Sequence, residues 1–379
     1  MQILKLSQTP VETVIQTTCA VLAAGGLVLF PTETTYGAGV DATHQAGVDK
    51  LLAYKSRREG KPLSIAVISE EMAEKYVELN DQARALYKQF LPGPVTVVSK
   101  DRGVVAKGVA SEFGTVGVRI PAYPMLLELL KVYGKPMTAT SANGSGQKRP
   151  YSIQDVFDNI SEAQKSLINL VLDAGTLPEN PPSTVIDTTL SAPVTLRQGD
   201  IALKNAVGTT GETYELVSQT ETETKSIAGR LILKHWDKVG KTGLVIGLDG
   251  PLGAGKTVFA KGAAEFLQIT EPLTSPTYTY IEEYAYKRHQ STGMLYHLDM
   301  WKVDSAAVFE KLELPTLLKP GTVMVIEWWS QIAQYFLPIL EQKGIAVVTA
   351  TIMEESTQNS LATDTVNTSK RTITLKEYA

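Results

Sequence analysis

Runs of β-branched and aliphatic residues alternate along this chain with windows in which apolar positions recur every three or four residues, the pattern of an α/β protein. In the first half the runs at 27–30, 63–67, 95–98, 116–120, 137–139, 171–173 and 184–187 predict strands, and the windows 12–24, 46–54, 70–76, 81–90 and 124–133 predict helices. Gly25-Gly26 stops the first helix and releases the chain into a wholly apolar, hence buried, strand. Ser152, with Asp155 three residues on, resembles a capping box and predicts a helix near 155–160. The periodicity stops at the small, polar stretch 206–212. We expect a boundary there, with domains at 1–205 and 214–379 joined by a linker at 206–213.

Beyond the boundary, 214–217 reads as a strand, and Thr220 or Thr222 caps a helix carrying Ile227, Ala228, Leu231, Ile232 and Trp236 at helical spacing. Strands are expected at 244–248, 295–299, 323–327, 345–352 and 372–375, with a helix at 258–267 and a long Ser/Thr/Asn-rich loop at 354–370. Tyrosines at 278, 280, 284 and 286 recur with period two, which puts all four on one face of a strand. Either they cover the sheet, or the segment lies over a ligand with Ser275-Pro276-Thr277 supplying hydroxyls.

The 379 residues suit two domains, and 43% apolar with 20% charged residues is a globular composition. One cysteine, Cys19, forbids an internal disulfide and points to a reducing compartment. The four histidines include no close pair, so no zinc-ligand spacing exists. The net charge of −4 argues against a general nucleic-acid coat. It resolves into 20 basic and 20 acidic side chains over 1–205, against 16 and 20 over 206–379. Residues 51–150 hold 15 basic against 9 acidic, a local positive surface suited to an anion. The uncharged stretch 13–32 has the length of a bilayer span but contains Gln16, Thr17, Thr18 and Pro31, and its most apolar part, 20–30, is too short to cross. A soluble, cytoplasmic protein with no membrane contact is expected.

Gly250-Pro251-Leu252-Gly253-Ala254-Gly255-Lys256-Thr257 satisfies G-x-x-x-x-G-K-[ST] between a strand and a helix. In such a loop glycines let backbone N–H groups turn inward on a phosphate chain, Lys256 adds a charge at the β/γ-phosphates and the Thr257 hydroxyl takes a place on Mg²⁺. The helix that follows aims its dipole at the anion. Two acids end apolar runs downstream, Asp299 and Glu327, each suited to hold the metal's water shell or orient an attacking water. No N-K-x-D follows, so ATP rather than GTP is expected.

The blocks GPLGAGKT, SPTYTYIEEY, LYHLDMWKV and IEWW resemble the TsaE family of bacterial P-loop ATPases over about 214–345. The resemblance implies ATP hydrolysis, with Gly250, Gly253, Ala254, Gly255, Lys256 and Thr257 on the nucleotide and Thr277 at its γ-phosphate. It also implies that Thr257, Asp299 and Glu327 serve Mg²⁺, the two acids acting in catalysis. Pro251, the run Met300-Trp301-Lys302 and Trp329 depart from that family's pattern.

The first half has no phosphate loop, but Pro31-Thr32-Glu33-Thr34-Thr35-Tyr36-Gly37 follows a buried strand and brings hydroxyls to a sheet edge, where α/β proteins bind ligands. Lys55, Arg57 and Lys61 cluster nearby in sequence, Arg119 ends a strand, Ser141-Ala142-Asn143 and Ser183-Thr184 flank others, and Arg197 follows. With no histidine or cysteine nucleophile among them, these groups suit binding of a polyanion and a polar small molecule, with catalysis by positioning and charge neutralisation. PTETTYGAGVDA, KSRREGKPLS, LPGPVT, VGVRIP, SANGSG, STVID and LRQGD resemble the YrdC-type threonylcarbamoyl-AMP synthases over nearly all of 10–203. Arg58-Glu59 stands where that family often has Pro.

That resemblance implies condensation of L-threonine, bicarbonate and ATP into threonylcarbamoyl-AMP and pyrophosphate. Thr32, Thr34, Arg119 and Ser183 would bind threonine. Lys55, Arg57, Lys61, Ser141, Asn143 and Arg197 would hold ATP, Lys55 and Arg57 acting in catalysis, with Mg²⁺ on the phosphates. Together the two resemblances imply a fusion serving tRNA threonylcarbamoyladenosine synthesis, with two ATP sites and a TsaD/TsaB-type transferase complex as partner, and tRNA met only indirectly. They imply an α/β fold class: a YrdC-like twisted mixed sheet with helices, then a P-loop NTPase-like sheet with flanking helices. The rival reading is an RNA-binding module fused to a P-loop small-molecule kinase.

Overall fold

The computed structural model describes residues 1–55, 63–144, 147–203, 206–274, 276, 279–355 and 370–378. The chain divides into two compact units, Met1–Ala206 and Val207–Ala379. Among the described residues no helix is long and apolar enough to cross a membrane.

In the first unit the strand Leu27–Pro31 is buried along its whole length, and its side chains alternate between two cores. Leu27 and Leu29 join Tyr36, Ile65, Val97, Val118 and Ile186. Val28 and Phe30 instead meet Val14 and Leu22 of the helix Val11–Ala23 and Leu126, Leu129 and Leu130 of the helix Pro124–Tyr133. One sheet runs in the order Gln2–Lys5, Ile168–Asp173, Leu27–Pro31, Tyr36–Gly39, Thr140–Ser141. Its first three strands are parallel and the last two join antiparallel. A second mixed sheet runs Val194–Arg197, Thr184–Asp187, Val95–Asp101, Thr115–Arg119, Ser64–Ala66, Met137–Thr138, with Val77–Glu78 beside Val95–Asp101. The expected mixed strands are thus shared between two sheets.

The second unit is one sheet in the order Thr213–Ser218, Arg371–Tyr378, Ala346–Glu354, Leu244–Asp249, Thr322–Glu327, Ser291–Asp299, Ile281–Arg288. The strands from Ala346–Glu354 to Ser291–Asp299 are parallel, and antiparallel strands close both edges. The helix Glu221–Lys234 approaches Lys256–Phe266 so closely that a Cβ on Gly262 would stand 2.5 Å from the Lys225 backbone. Two buried charged side chains are held by named partners. The Arg288 guanidinium lies 3.8 Å from the Phe266 ring centre and donates to the Phe266 carbonyl at 2.7 Å. Glu377 accepts from Tyr214 at 2.8 Å and Lys234 at 2.7 Å and meets His235 at 3.1 Å; burial pushes its carboxyl up, but His235 and Lys234 together outweigh that and hold it below the usual range.

Asp81–Phe90, Pro124–Tyr133 and Thr184–Asp187 have the ends that the sequence pattern predicts. The Ser152–Asp155 capping box forms with both reciprocal bonds, opening the helix at Ile153–Asp158. Three expectations change. The helix from Glu70 stops at Ala73, because the chain turns there to pair Val77 with Asp101. Thr220 caps Glu221–Lys234, but Trp236 begins a separate turn, Trp236–Val239. Of the four tyrosines only Tyr284 and Tyr286 share a buried strand face, since the strand starts at Ile281 and Tyr280 precedes it at φ 65°; Tyr278 lies outside the described residues. The expected loop 354–370 lies outside them over 356–369. Tyr36–Gly39, short of β-branched residues, and Ala333–Gln342, which contains Pro338, gave no clear periodic signal.

Gly247 lies on the central strand beneath the Trp329 ring, and a Cβ there would stand 2.4 Å from Trp329 Cγ. Gly247→Ala should therefore cost about 1–3 kcal/mol by overpacking. Chemical denaturation measures this, and wild-type stability in the variant would show that the ring is free to move aside.

Candidate functional sites

In the first unit the segment after Leu27–Pro31 is tied into a compact hydroxyl cluster. Thr32 Oγ1 lies 3.1 Å from Thr34 Oγ1, donates to the Thr35 carbonyl at 2.7 Å, and accepts from the Thr34 and Thr35 amides. Glu33, between them, pairs through its carboxylate with the Arg119 guanidinium. Arg119 is buried at the end of Thr115–Arg119, so the side chain presented to this loop is a cation already engaged by a carboxylate. Arg197 donates from Nε to the Ser183 carbonyl at 3.1 Å and from a terminal nitrogen to Ser183 Oγ at 2.9 Å. Burial first, then the charges of Arg119 and Arg149, lower its pKa. These three arginines share one electrostatic neighbourhood that an anion would relieve.

Lys55 ends the helix Gln45–Lys55 and reaches the segment 141–143, donating to the carbonyls of Ser141 at 2.7 Å and Asn143 at 2.6 Å. The neighbouring Tyr54 hydroxyl donates to the Ala142 carbonyl at 2.6 Å, which fixes that segment from the same helix end. Asn143 Nδ2 donates to the Gln147 carbonyl at 2.8 Å. Gly37 pairs with Ser141 between adjacent strands, so the hydroxyl cluster and the Lys55 cluster sit on neighbouring segments of one sheet. Burial pushes the Lys55 ammonium down to about 8. Arg57 and Lys61 lie outside the described residues.

In the second unit strand register does the positioning. Asp299 pairs with Glu327, and Glu327 with Leu248, so both acids stand at the level where the central strand gives way to the glycine loop. That loop bends through positive φ at Gly250 (138°), Gly253 (82°) and Gly255 (109°). At Gly250 a Cβ would stand 2.2 Å from the Ile352 carbonyl oxygen, so only glycine fits. Ala254 is buried within the loop. Lys256 Nζ donates to the carbonyls of Gly250 at 2.8 Å and Pro251 at 3.0 Å. Burial lowers its pKa, against smaller opposing effects of Glu327, Asp299 and Asp249. Thr257 Oγ1 donates to Glu327 Oε1 at 2.9 Å. Thr277 lies outside the described residues.

Thr257, Glu327 and Asp299 offer oxygen donors only, the set a hard cation takes. No group of three or more His, Cys, Asp or Glu suited to a metal exists among the described residues.

Several residues escaped the sequence reading. Glu33 lay inside a segment read for its hydroxyls, and Arg149 in a short basic run. His297 is fully buried, its Nε2 2.9 Å from Glu327 Oε1 and its Nδ1 3.0 Å from the Thr274 carbonyl. Trp328, at φ 60°, places its ring 4.1 Å below Lys256 Nζ. Asp249 accepts from the Ser330 amide at 3.0 Å and hydroxyl at 2.9 Å. These contacts depend on strand alignment, so spacing along the chain could not have revealed them.

A Sua5–YciO–YrdC family model, described as telomere recombination, matches residues 20–199. A second, described as threonylcarbamoyl adenosine biosynthesis protein TsaE, matches residues 218–360. The chain is 36% identical over 189 residues to a Pyrococcus abyssi threonylcarbamoyl-AMP synthase; the match takes in 50% of this chain but only 54% of that protein's length. It is 32% identical over 157 residues to the threonylcarbamoyl-AMP synthase of Psychromonas ingrahamii, covering 41% of this chain and 81% of the other. A solved structure of doubly substituted Pyrococcus abyssi Sua5 superposes with a TM-score of 0.50 at 29% identity, covering 70% of this chain and 74% of that one.

The Lys55 geometry carries a pH dependence. With its ammonium lowered from 10.5 to about 8, the folded unit binds fewer protons than the unfolded chain between those values. The burial therefore costs stability fully below pH 8, and ever less as pH climbs toward 10.5. A selectively labelled Lys55 followed by NMR should titrate near pH 8 and move upward when inorganic triphosphate is added. A midpoint at the ordinary lysine value would contradict the burial.

Proposed function

The chain belongs to the Sua5–YciO–YrdC family and carries a TsaE domain behind it, and from that premise we propose a bifunctional protein of tRNA threonylcarbamoyladenosine synthesis. Its first unit makes threonylcarbamoyl-AMP and pyrophosphate from L-threonine, bicarbonate and ATP. Its second hydrolyses ATP in support of a TsaD/TsaB-type transferase complex, which delivers the group to tRNA. We assign the work to the cytoplasm and the domains to 1–205 and 214–379.

In the first unit Arg119 would take the threonine carboxylate, with Thr32, Thr34 and Ser183 around the rest of the amino acid. Lys55, Arg57, Lys61, Ser141, Asn143 and Arg197 would hold ATP. The amine of threonine takes up the carbon of bicarbonate with loss of water, giving a carbamate. A carbamate oxygen then attacks the α-phosphorus and pyrophosphate leaves. Lys55 and Arg57 neutralise charge as it develops on the phosphate oxygens, so the side chains supply position and charge and form no covalent bond.

In the second unit the loop 250–257 would wrap the phosphates, Lys256 would turn from the Gly250 and Pro251 carbonyls to the β/γ-phosphates, and Thr277 would meet the γ-phosphate. Thr257, Asp299 and Glu327 would hold Mg²⁺, which supplies charge neutralisation to the phosphates when bound. Glu327 and Asp299 would also orient the attacking water. The observation that carries this reading is the register of Asp299 and Glu327 beside the end of the P-loop strand.

Pyrophosphate and phosphate release, measured with threonine and bicarbonate omitted in turn, tests both halves. Lys256→Ala should cut phosphate release about 100-fold or more while sparing threonine-dependent pyrophosphate. Lys55→Ala should do the reverse. Pyrophosphate formation indifferent to threonine would sink the synthase assignment. Transfer of the γ-phosphate to a small acceptor, rather than to water, would favour a kinase.

A further inference from the structure

His297 is the buried titratable side chain at the second site to which the proposed chemistry gives no part. It sits on Ser291–Asp299 with no exposed surface, and its ring spans two elements. Nδ1 faces the Thr274 carbonyl at 3.0 Å, which only accepts, so this nitrogen donates. Nε2 faces Glu327 Oε1 at 2.9 Å. The same carboxylate oxygen receives the Thr257 hydroxyl at 2.9 Å, so Glu327 is oriented from the P-loop helix on one side and by His297 on the other.

Thr274 opens the stretch that runs to Tyr280. Its amide donates to the Tyr284 hydroxyl at 3.1 Å. At the far end the Tyr280 amide donates to the Pro276 carbonyl at 2.9 Å, and the Asp299 amide donates to the Tyr280 carbonyl at 3.1 Å. Each end of the stretch is therefore fastened beside one of the two acids: Thr274 to Glu327 through the imidazole, and Tyr280 to Asp299 through the backbone. A histidine serving only the core needs partners of any kind, whereas this one joins a proposed reacting carboxylate to the end of a segment leading toward Thr277.

We infer that His297 is a positioning residue that couples Thr274 to Glu327. A change in what Glu327 holds is passed through the ring to Thr274, and the placement of Thr274 in turn sets the carboxylate's direction. The inference rests on the ATPase reading above.

The test uses the full chain, hydrogen exchange of backbone amides, and the β,γ-imido analogue of ATP with magnesium. In the wild type the analogue should slow exchange both in the loop 253–257 and at Thr274 and Tyr280. His297→Gln places an amide near the Nε2 position and His297→Asn near the Nδ1 position, so each keeps one partner and loses the other. Both should keep protection in the loop and lose it at Thr274 and Tyr280. kcat for phosphate release should fall about tenfold or more, the usual effect of removing a partner that orients a ligand, with KM for ATP within about twofold.

Loop and stretch protected alike in both variants would overturn the inference alone. No loop protection in the wild type would overturn the ATPase reading, and the inference with it. Should neither variant fold, the wild-type ring N–H resonances of His297 decide: they should shift with the Tyr280 amide on adding the analogue. Ring signals unmoved while the loop amides shift would overturn the coupling.

Discussion

Both units solve one electrostatic problem in the same way: each holds a lysine, half-buried in the first and buried in the second, against backbone carbonyls. Lys55 donates to Ser141 and Asn143, and Lys256 to Gly250 and Pro251. A carbonyl satisfies the donor but carries no net charge, so the ammonium stays hydrogen-bonded without being neutralised. Burial then disfavours the charge in both places, and both pKa values fall. A phosphate chain arriving at either lysine would add counter-charge, beyond the smaller effect of Glu327, Asp299 and Asp249 at Lys256, in a medium of low dielectric, where the attraction is strong. Arg197, held on the Ser183 carbonyl and hydroxyl and crowded by Arg119 and Arg149, extends the device in the first unit.

The supporting elements differ. In the first unit the end of the helix Gln45–Lys55 supplies both Lys55 and Tyr54, and they grip three consecutive carbonyls. In the second the loop's own backbone turns back on Lys256 through the glycine conformations, and parallel pairing brings Asp299 and Glu327 alongside. One site is therefore built by a helix end clamping a neighbouring segment, the other by strand register.

This difference explains what the sequence made legible. The phosphate loop, its strand and its helix are contiguous, so eight residues and their flanks disclosed them. The strand Leu27–Pro31 was legible because burial on both faces demands an uninterrupted apolar run. Asp299 and Glu327 were found because each ends such a run. His297 and Trp328 lie inside blocks that were read for their acids, yet their contacts arise only when the strands align, and no local pattern encodes that alignment. Glu33 was hidden otherwise: a charged residue between threonines reads as surface until Arg119, distant in sequence, is brought against it.

The departures from the family pattern then separate by their packing. Trp329 is buried against Gly247 and lies 6.3 Å from the Phe336 ring, so it belongs to the core beneath the P-loop strand. Trp328, just before it, sits at φ 60°, which aims its ring under Lys256 instead of continuing the strand. A proline in place of Trp329 would disfavour helical dihedrals at position 328 and remove the ring from Gly247. The pair Trp328-Trp329 thus fixes the chain by side-chain packing at the point where it leaves Glu327. Trp301 differs in kind, being 48% exposed with Lys302 over its ring. It meets Asp299 only through its backbone amide, at 3.3 Å from Oδ1, a donor that any residue but proline supplies, so the identity of the side chain there is free of the packing that fixes Met300.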